Sequence, residues 1–242
     1  MGLQRQSCSP GAGLEDEVLV DIPEGGKHEL KVESYEFNYD DVIEVEKTVN
    51  KDLLSEVSDT EVTGCFNIVQ IPGKGTGVVS RNKLYPGDLI MIEKPLIVVK
   101  GDIYDDLEKV KSYLDKVVTK MSSSDREVFL NLTDCQQPED PTYLGTFDTN
   151  DMDFGGDAAV LPTMARVNHS CQPNAEFVTD QGKEFQKLVA IGIIDKDEEI
   201  TINYLPMEEE GTDIREIRQR FLRTHYGFTC SCRCCSKEAT RS

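Results

Sequence analysis

The segment 166–177, RVNHSCQPNAEF, packs an Asn-His pair, a cysteine and a proline turn between two apolar flanks. Side chains of these types support three kinds of chemistry. His169 and Cys171 could act as a nucleophilic pair, Cys171 could ligate a metal, or the turn could close on a small ligand. The nucleophilic pair is the weakest of the three. Side chains two positions apart on an extended turn point badly toward each other, and no neighbouring residue orients the base. A histidine in such a place also serves often as a plain buried hydrogen-bonder.

A second concentration of chemistry lies near the C-terminus, where Cys230, Cys232, Cys234 and Cys235 fall within CSCRCC, half of the eight cysteines in six residues. Disulfide frameworks spread their cysteines along a chain, whereas clustered thiolates suit a soft metal, zinc above all. The spacing C-x-C-x-x-C, from Cys230, Cys232 and Cys235, supplies three of the four ligands a tetrahedral site needs. The fourth is Cys234, His225 or a distant residue, and Cys171 is the best distant candidate. Such a tie would staple the chain's end to the Asn-His turn and would remove Cys171 as a nucleophile. Cys8, Cys65 and Cys135 are isolated and read as plain thiols.

Two further stretches matter by position. PGKGTG, residues 72–77, lets backbone approach a ligand closely and offers Lys74 as a charge beside Gly75. It lacks the GxxxxGK[ST] of a P-loop, and no helix follows it as a dinucleotide fingerprint requires, so alone it reads as a hairpin turn. Tyr204 ends the strand-like run EEITINYL, and alone it implies no function.

The elements that must position these residues are short. CFNIVQI, TGVVS and DLIMIEKPLIVV are β-branched runs separated by the turn signals PGKG and YPGD. From Asp105 the period turns helical, with Leu107, Val110, Leu114, Val117 and Val118 on one face. Residues 130–149, with their prolines and acids, read as loop. Strands return at AEFV, FQKLVAIGII and EEITINYL, and DIREIRQRFLRTHYGF reads as a basic helix feeding the cysteines. Short strands with helices inserted between them predict an irregular, β-rich α+β domain.

Composition narrows the partners. The 242 residues carry a net charge of −19, and residues 1–62 hold 16 Asp and Glu against 5 Lys and Arg, net −11. Such a chain repels nucleic acid, whose binding depends on neutralising phosphates, and attracts basic protein segments. Residues 1–26 read as a flexible tail, 29–37 alternate weakly and 42–57 suit a short acidic helix, so 1–62 is expected to be a partly disordered acidic extension. No apolar run reaches membrane-span length, the N-terminus lacks a signal-peptide core, and Gln6 breaks the myristoylation pattern begun by Gly2. A soluble, intracellular protein is expected.

Taken in order, the glycine loop, NHSCQPNAEF, DKDEEITINYL and YGFTCSCRCC resemble a SET-domain protein lysine methyltransferase. They match that family's GxG loop, its NHSCxPN motif, its GEE(L/I)xxxY segment and its post-SET cysteines, over about residues 64–236. The SET- and MYND-domain branch is the most similar, through Tyr226, Phe228, Cys230, Cys232 and Cys235. The sequence departs from that branch in lacking a MYND finger and a long helical C-terminal domain, and in reading DKDEE where a glycine is usual.

The resemblance implies a β-rich SET fold with a C-terminal pseudoknot: a SET domain over 63–206 with a helical insertion at about 104–150, then a post-SET helix and zinc-binding segment over 207–242. It implies S-adenosylmethionine held by Lys74, Gly75, Asn150, Asn168, His169 and Phe228, and one structural zinc on Cys171, Cys230, Cys232 and Cys235. Tyr204, which also touches the cofactor, and Tyr226 would be the catalytic residues, walling a channel for the target lysine. The implied partner is a protein with a basic, lysine-containing segment, histones included, and not nucleic acid or membrane. A monomer in nucleus or cytoplasm is expected. The alternatives are a catalytically silent SET domain that serves as a protein-binding scaffold, and a zinc-stapled structural or nucleic-acid module, which the charge disfavours.

Overall fold

The computed structural model of the chain describes residues 60–62, 64–180, 182, 184–206 and 214–239. The tail, the weak alternation and the acidic helix expected before residue 58 lie outside the described residues, as does 207–213.

Eleven strands among the described residues form three small sheets. The first orders β1 (Thr60–Val62), β4 (Leu89–Glu93), β10 (Gln186–Ala190) and β9 (Ala175–Thr179), all antiparallel. The second orders β2 (Phe66–Ile71), β3 (Gly75–Ser80), β11 (Glu199–Ile202) and β8 (Asn168–His169). Its last pair, β11 with β8, runs parallel. The third orders β5 (Ile97–Val99), β7 (Asp157–Val160) and β6 (Asp151–Phe154). β-Branched and long apolar side chains from these strands meet in one core that includes Val78, Ile90, Met91, Leu188 and Ile200.

The PGKG segment is the β2–β3 turn, with Gly73 at φ 74° and Gly75 at φ 73°, a region side chains other than glycine's rarely enter. At the start of β11 the chain has no such help. Asp197, in the turn before that strand, sits at φ 65°.

The helical insertion packs on the third sheet. α1 (Gly101–Tyr104) is one turn, and α2 (Leu107–Lys120) buries Val110, Leu114 and Val118, three of the five residues its period predicts. Asp106 caps α2 by accepting the Lys109 N–H, and Ser122 does the same for α3 (Ser123–Leu130) at Asp125. The expected loop over 130–149 is corrected in its last third. Thr142 caps a further helix, α4 (Tyr143–Asn150), that buries Phe147 against the insertion core. Its acids are not all solvent-facing, because buried Asp134 accepts the N–H groups of Gln136, Gln137 and Thr142. The β6–β7 hairpin that follows turns on Gly155–Gly156, a two-glycine signal that the sequence reading passed over.

The expected run DLIMIEKPLIVV divides into β4 and β5 around Lys94–Pro95, since proline cannot donate to a ladder. The basic helix is α5 (Arg215–Tyr226), and α6 (Arg233–Ala239) begins inside the cysteine cluster. No helix among the described residues is long and apolar enough to cross a membrane.

Candidate active site

The parallel pairing of β8 with β11 sets Asn168 beside Thr201 and His169 beside Ile202, so the Asn-His pair lies against the strand that leads to Tyr204. Asn174 locks this register, its Oδ1 accepting the Thr201 N–H at 2.8 Å and its Nδ2 donating to the Glu199 carbonyl at 2.9 Å. Two residues past β11, the Tyr204 N–H donates to His169 Nδ1 at 3.0 Å. That leaves the proton of a neutral imidazole on Nε2, which lies 3.3 Å from Cys171 Sγ. His169 is buried and is fully engaged by this geometry.

Tyr204 is fixed at its other end too, its hydroxyl donating to the Val167 carbonyl at 2.6 Å. Around its ring stand Tyr226 at a centroid distance of 4.8 Å, His169 at 5.4 Å and Phe228 at 6.5 Å. α5 delivers the first and third of these. It ends at Tyr226, and Gly227 at φ 72° turns the chain so that Phe228 faces back toward His169. The insertion holds the end of that helix, since Cys135 Sγ donates to the His225 carbonyl at 2.9 Å.

The glycine turn reaches the same place from β3. Lys74 Nζ lies 2.5 Å from Glu199 Oε2, and Asn168 Nδ2 donates to Glu199 Oε1 at 3.0 Å. At Gly77 the Asn168 and Ile71 side chains occupy the place of a Cβ, which would sit 2.6 Å from Asn168 Nδ2, so a larger residue there would push both aside. Glu199, which the sequence reading did not single out, thus joins Lys74 to Asn168. An acidic side chain inside a β-branched strand was the signal available. Asn150 has other partners, its amide nitrogen donating to the Thr133 and Thr146 carbonyls at 2.7 Å each.

Cys171, Cys230, Cys232 and Cys235 bring their sulfurs within 4.8 Å of one another. Cys171 Sγ lies 3.6 Å from that of Cys235 and 3.9 Å from that of Cys230. Zinc bonded to sulfur at about 2.3 Å in a tetrahedron needs sulfur pairs about 3.8 Å apart. The four sulfurs therefore fit a tetrahedral ion. The Cys171 thiol as donor holds Cys230 well below the ordinary thiol range, while that bond and burial push Cys171 up. Without a cation, neighbouring thiolates resist shared ionisation. Cys234 is turned elsewhere, with Arg218 Nη2 at 3.6 Å from its sulfur, and buried Gln219 grips the Cys230 backbone through two hydrogen bonds.

The SET domain family profile matches residues 75–205, more than half of the chain and all of the segment from the glycine turn to Tyr204. This chain belongs to the SET-domain family. Histone-lysine N-methyltransferase set5 of Schizosaccharomyces pombe is 27% identical over 177 residues, covering 73% of this chain and 52% of that protein. Protein-lysine N-trimethyltransferase SMYD5 of Danio rerio is 41% identical over 68 residues, 28% of this chain and 16% of that one. The SET-domain chain thus spans about half of the fission-yeast protein and far less of the zebrafish one. The structure of the Neurospora SET domain protein DIM-5, a histone lysine methyltransferase, aligns at a TM-score of 0.32 with 21% identity, over 61% of this chain and 54% of that one. That overlap is too slight to carry an argument.

Proposed function

We propose that this SET-domain chain transfers methyl groups from S-adenosylmethionine to the side-chain amine of lysine in a protein substrate. The observation that carries the proposal is the double tether of Tyr204, by N–H to His169 and by hydroxyl to Val167, among the rings of His169, Tyr226 and Phe228. Lys74, Gly75, Asn168 and His169 would hold the cofactor, with Phe228 against its adenine, Tyr204 at its reactive end and Asn150 as a further contact. When bound, S-adenosylmethionine would supply an electrophilic sulfonium methyl that a neutral amine can take, with the thioether as leaving group.

The chain's own residues provide alignment. Tyr204 orients the incoming amine through its hydroxyl, and Tyr226 forms the second wall that keeps water out. A desolvated aromatic channel favours the neutral, nucleophilic form of lysine. Orientation and electrostatics supply the gain, and no covalent enzyme intermediate is needed. The four cysteines would hold one zinc and fasten Phe228 beside His169.

A net charge of −19 suits a basic protein segment, and histones are the first candidates because the fission-yeast relative is named a histone-lysine methyltransferase. We assign catalysis to 63–206, including the insertion, and the zinc segment to 207–242. The acidic 1–62 serves to attract basic partners, and the working site is a monomer's, nuclear or cytoplasmic. The test is methyl transfer from labelled S-adenosylmethionine to histones and to whole lysate. Cofactor binding with no transfer makes the chain a silent, protein-binding SET domain.

A further inference from the structure

Glu93 is a buried carboxylate that plays no part in the site described above. It ends β4 at 3% exposure, and its oxygens meet the backbone of the turn preceding Asn168. Oε1 accepts the Thr163 N–H at 2.9 Å, and Oε2 accepts the Thr163 and Met164 N–H groups at 3.1 and 2.9 Å. Those amides open the 3-10 turn Met164–Arg166, whose Thr163 side chain makes no capping bond of its own. Buried amides at such an end need an acceptor, and Glu93 is one. The turn closes with the Val167 N–H on the Met164 carbonyl at 3.0 Å, and the Val167 carbonyl then takes the Tyr204 hydroxyl. Met164 and Val167 are fully buried, so packing holds the turn as well. A continuous line of contacts runs from a carboxylate in the first sheet to the phenol at the centre of the site.

We infer that Glu93 is a positioning residue for methyl transfer: its carboxylate fixes the turn through Val167, and the turn aims the Tyr204 hydroxyl at the amine. The inference rests on the functional reading given above. Glu93 touches neither cofactor nor substrate, and it acts through Tyr204 alone.

Glu93→Gln keeps the size but replaces one accepting oxygen with an NH2 group, so part of the grip on Thr163 and Met164 is lost. Cofactor affinity and KM should match wild type, while kcat falls about tenfold. In a Tyr204→Phe background the same change should cost nothing further, because the hydroxyl it aims is gone. Equal proportional losses in both backgrounds would make Glu93 a structural residue only and overturn the inference. A readout independent of turnover is hydrogen exchange. The Val167 amide should exchange about tenfold faster in Glu93→Gln while β10 amides keep their protection. Unchanged exchange at Val167 overturns the inference as well. If Glu93→Gln does not fold, Glu93→Asp keeps the charge, shortens the reach and takes the same measurements. Should wild type methylate nothing, the functional reading fails first and this inference fails with it. An active wild type with additive losses removes only the role of Glu93.

Discussion

The backbone N–H of Tyr204 donates to Nδ1 of His169 at 3.0 Å, so a residue two positions past the last strand is fixed by the residue that ends β8. One ring therefore serves three neighbours. Its Nδ1 sets the Tyr204 backbone, its Nε2 meets Cys171, and its face lies 6.1 Å from the Phe228 ring. The Asn-His-Ser-Cys segment joins the tyrosine, the cysteine cluster and the aromatic pair Tyr226 and Phe228.

Separate substitutions should divide those roles. Tyr204→Phe keeps the ring and should fold and bind S-adenosylmethionine, while single-turnover methyl transfer falls by about 10² or more. His169→Ala removes the acceptor for a half-buried N–H, which costs about 1–3 kcal/mol in denaturant unfolding, and weakens cofactor binding measured by calorimetry. Tyr204→Phe losing cofactor affinity as severely as His169→Ala would contradict this division.

The cysteine geometry predicts one zinc per chain. Cys171→Ser replaces a thiolate with a poor ligand, so metal analysis should find less than one zinc and thermal unfolding should come markedly earlier, because structural zinc binding is folding energy. Cys234→Ser should keep full zinc, since its sulfur lies outside the group of four. Full zinc in Cys171→Ser would break the assignment.

How far the sequence could be read depended on how local each signal was. C-x-C-x-x-C sets three of the four clustered cysteines within one short wrap of chain, and the period of Val110, Leu114 and Val118 marks a helix face without outside help. The stretch 130–149 misled because Asp134 and Thr142 look like loop residues when they are a buried clamp and a helix cap. Glu199 and Glu93 were legible only as acids inside apolar strands, with no sign of their partners. Each works across the fold, on Lys74 and Asn168 in one case and on Thr163 and Met164 in the other, and no spacing along the chain announces such contacts.

The left-handed backbone at Asp197 gives a stability prediction. At φ 65° a side chain crowds the following carbonyl, at a cost of about 1–2 kcal/mol that aspartate tolerates better than most. Asp197→Val should therefore destabilise the chain by about 1–2 kcal/mol. Asp197→Gly should hold or raise stability by up to about 1 kcal/mol, because relief of strain competes with a freer unfolded chain. Chemical denaturation of the two variants decides it, and a valine variant as stable as wild type would refute the strain.

Glu93 also predicts a pH dependence of stability. Burial pushes its carboxyl above the ordinary carboxylate value of 4.5, against the lowering effect of the Thr163 and Met164 hydrogen bonds. A folded pKa above the unfolded one means that the folded chain holds the proton more tightly. Its contribution is complete below about pH 4.5 and is lost as pH rises through the folded value. Glu93→Gln cannot titrate and lacks this slope. The stability of wild type minus that of Glu93→Gln, from urea unfolding at a series of pH values, should therefore fall as pH rises above 4.5 and then level off. Acid loss of thiolate-bound metal is common to both proteins and cancels in the difference. A difference that rises with pH would mean that the hydrogen bonds from Thr163 and Met164 outweigh burial, and that the carboxylate is the favoured form at this position.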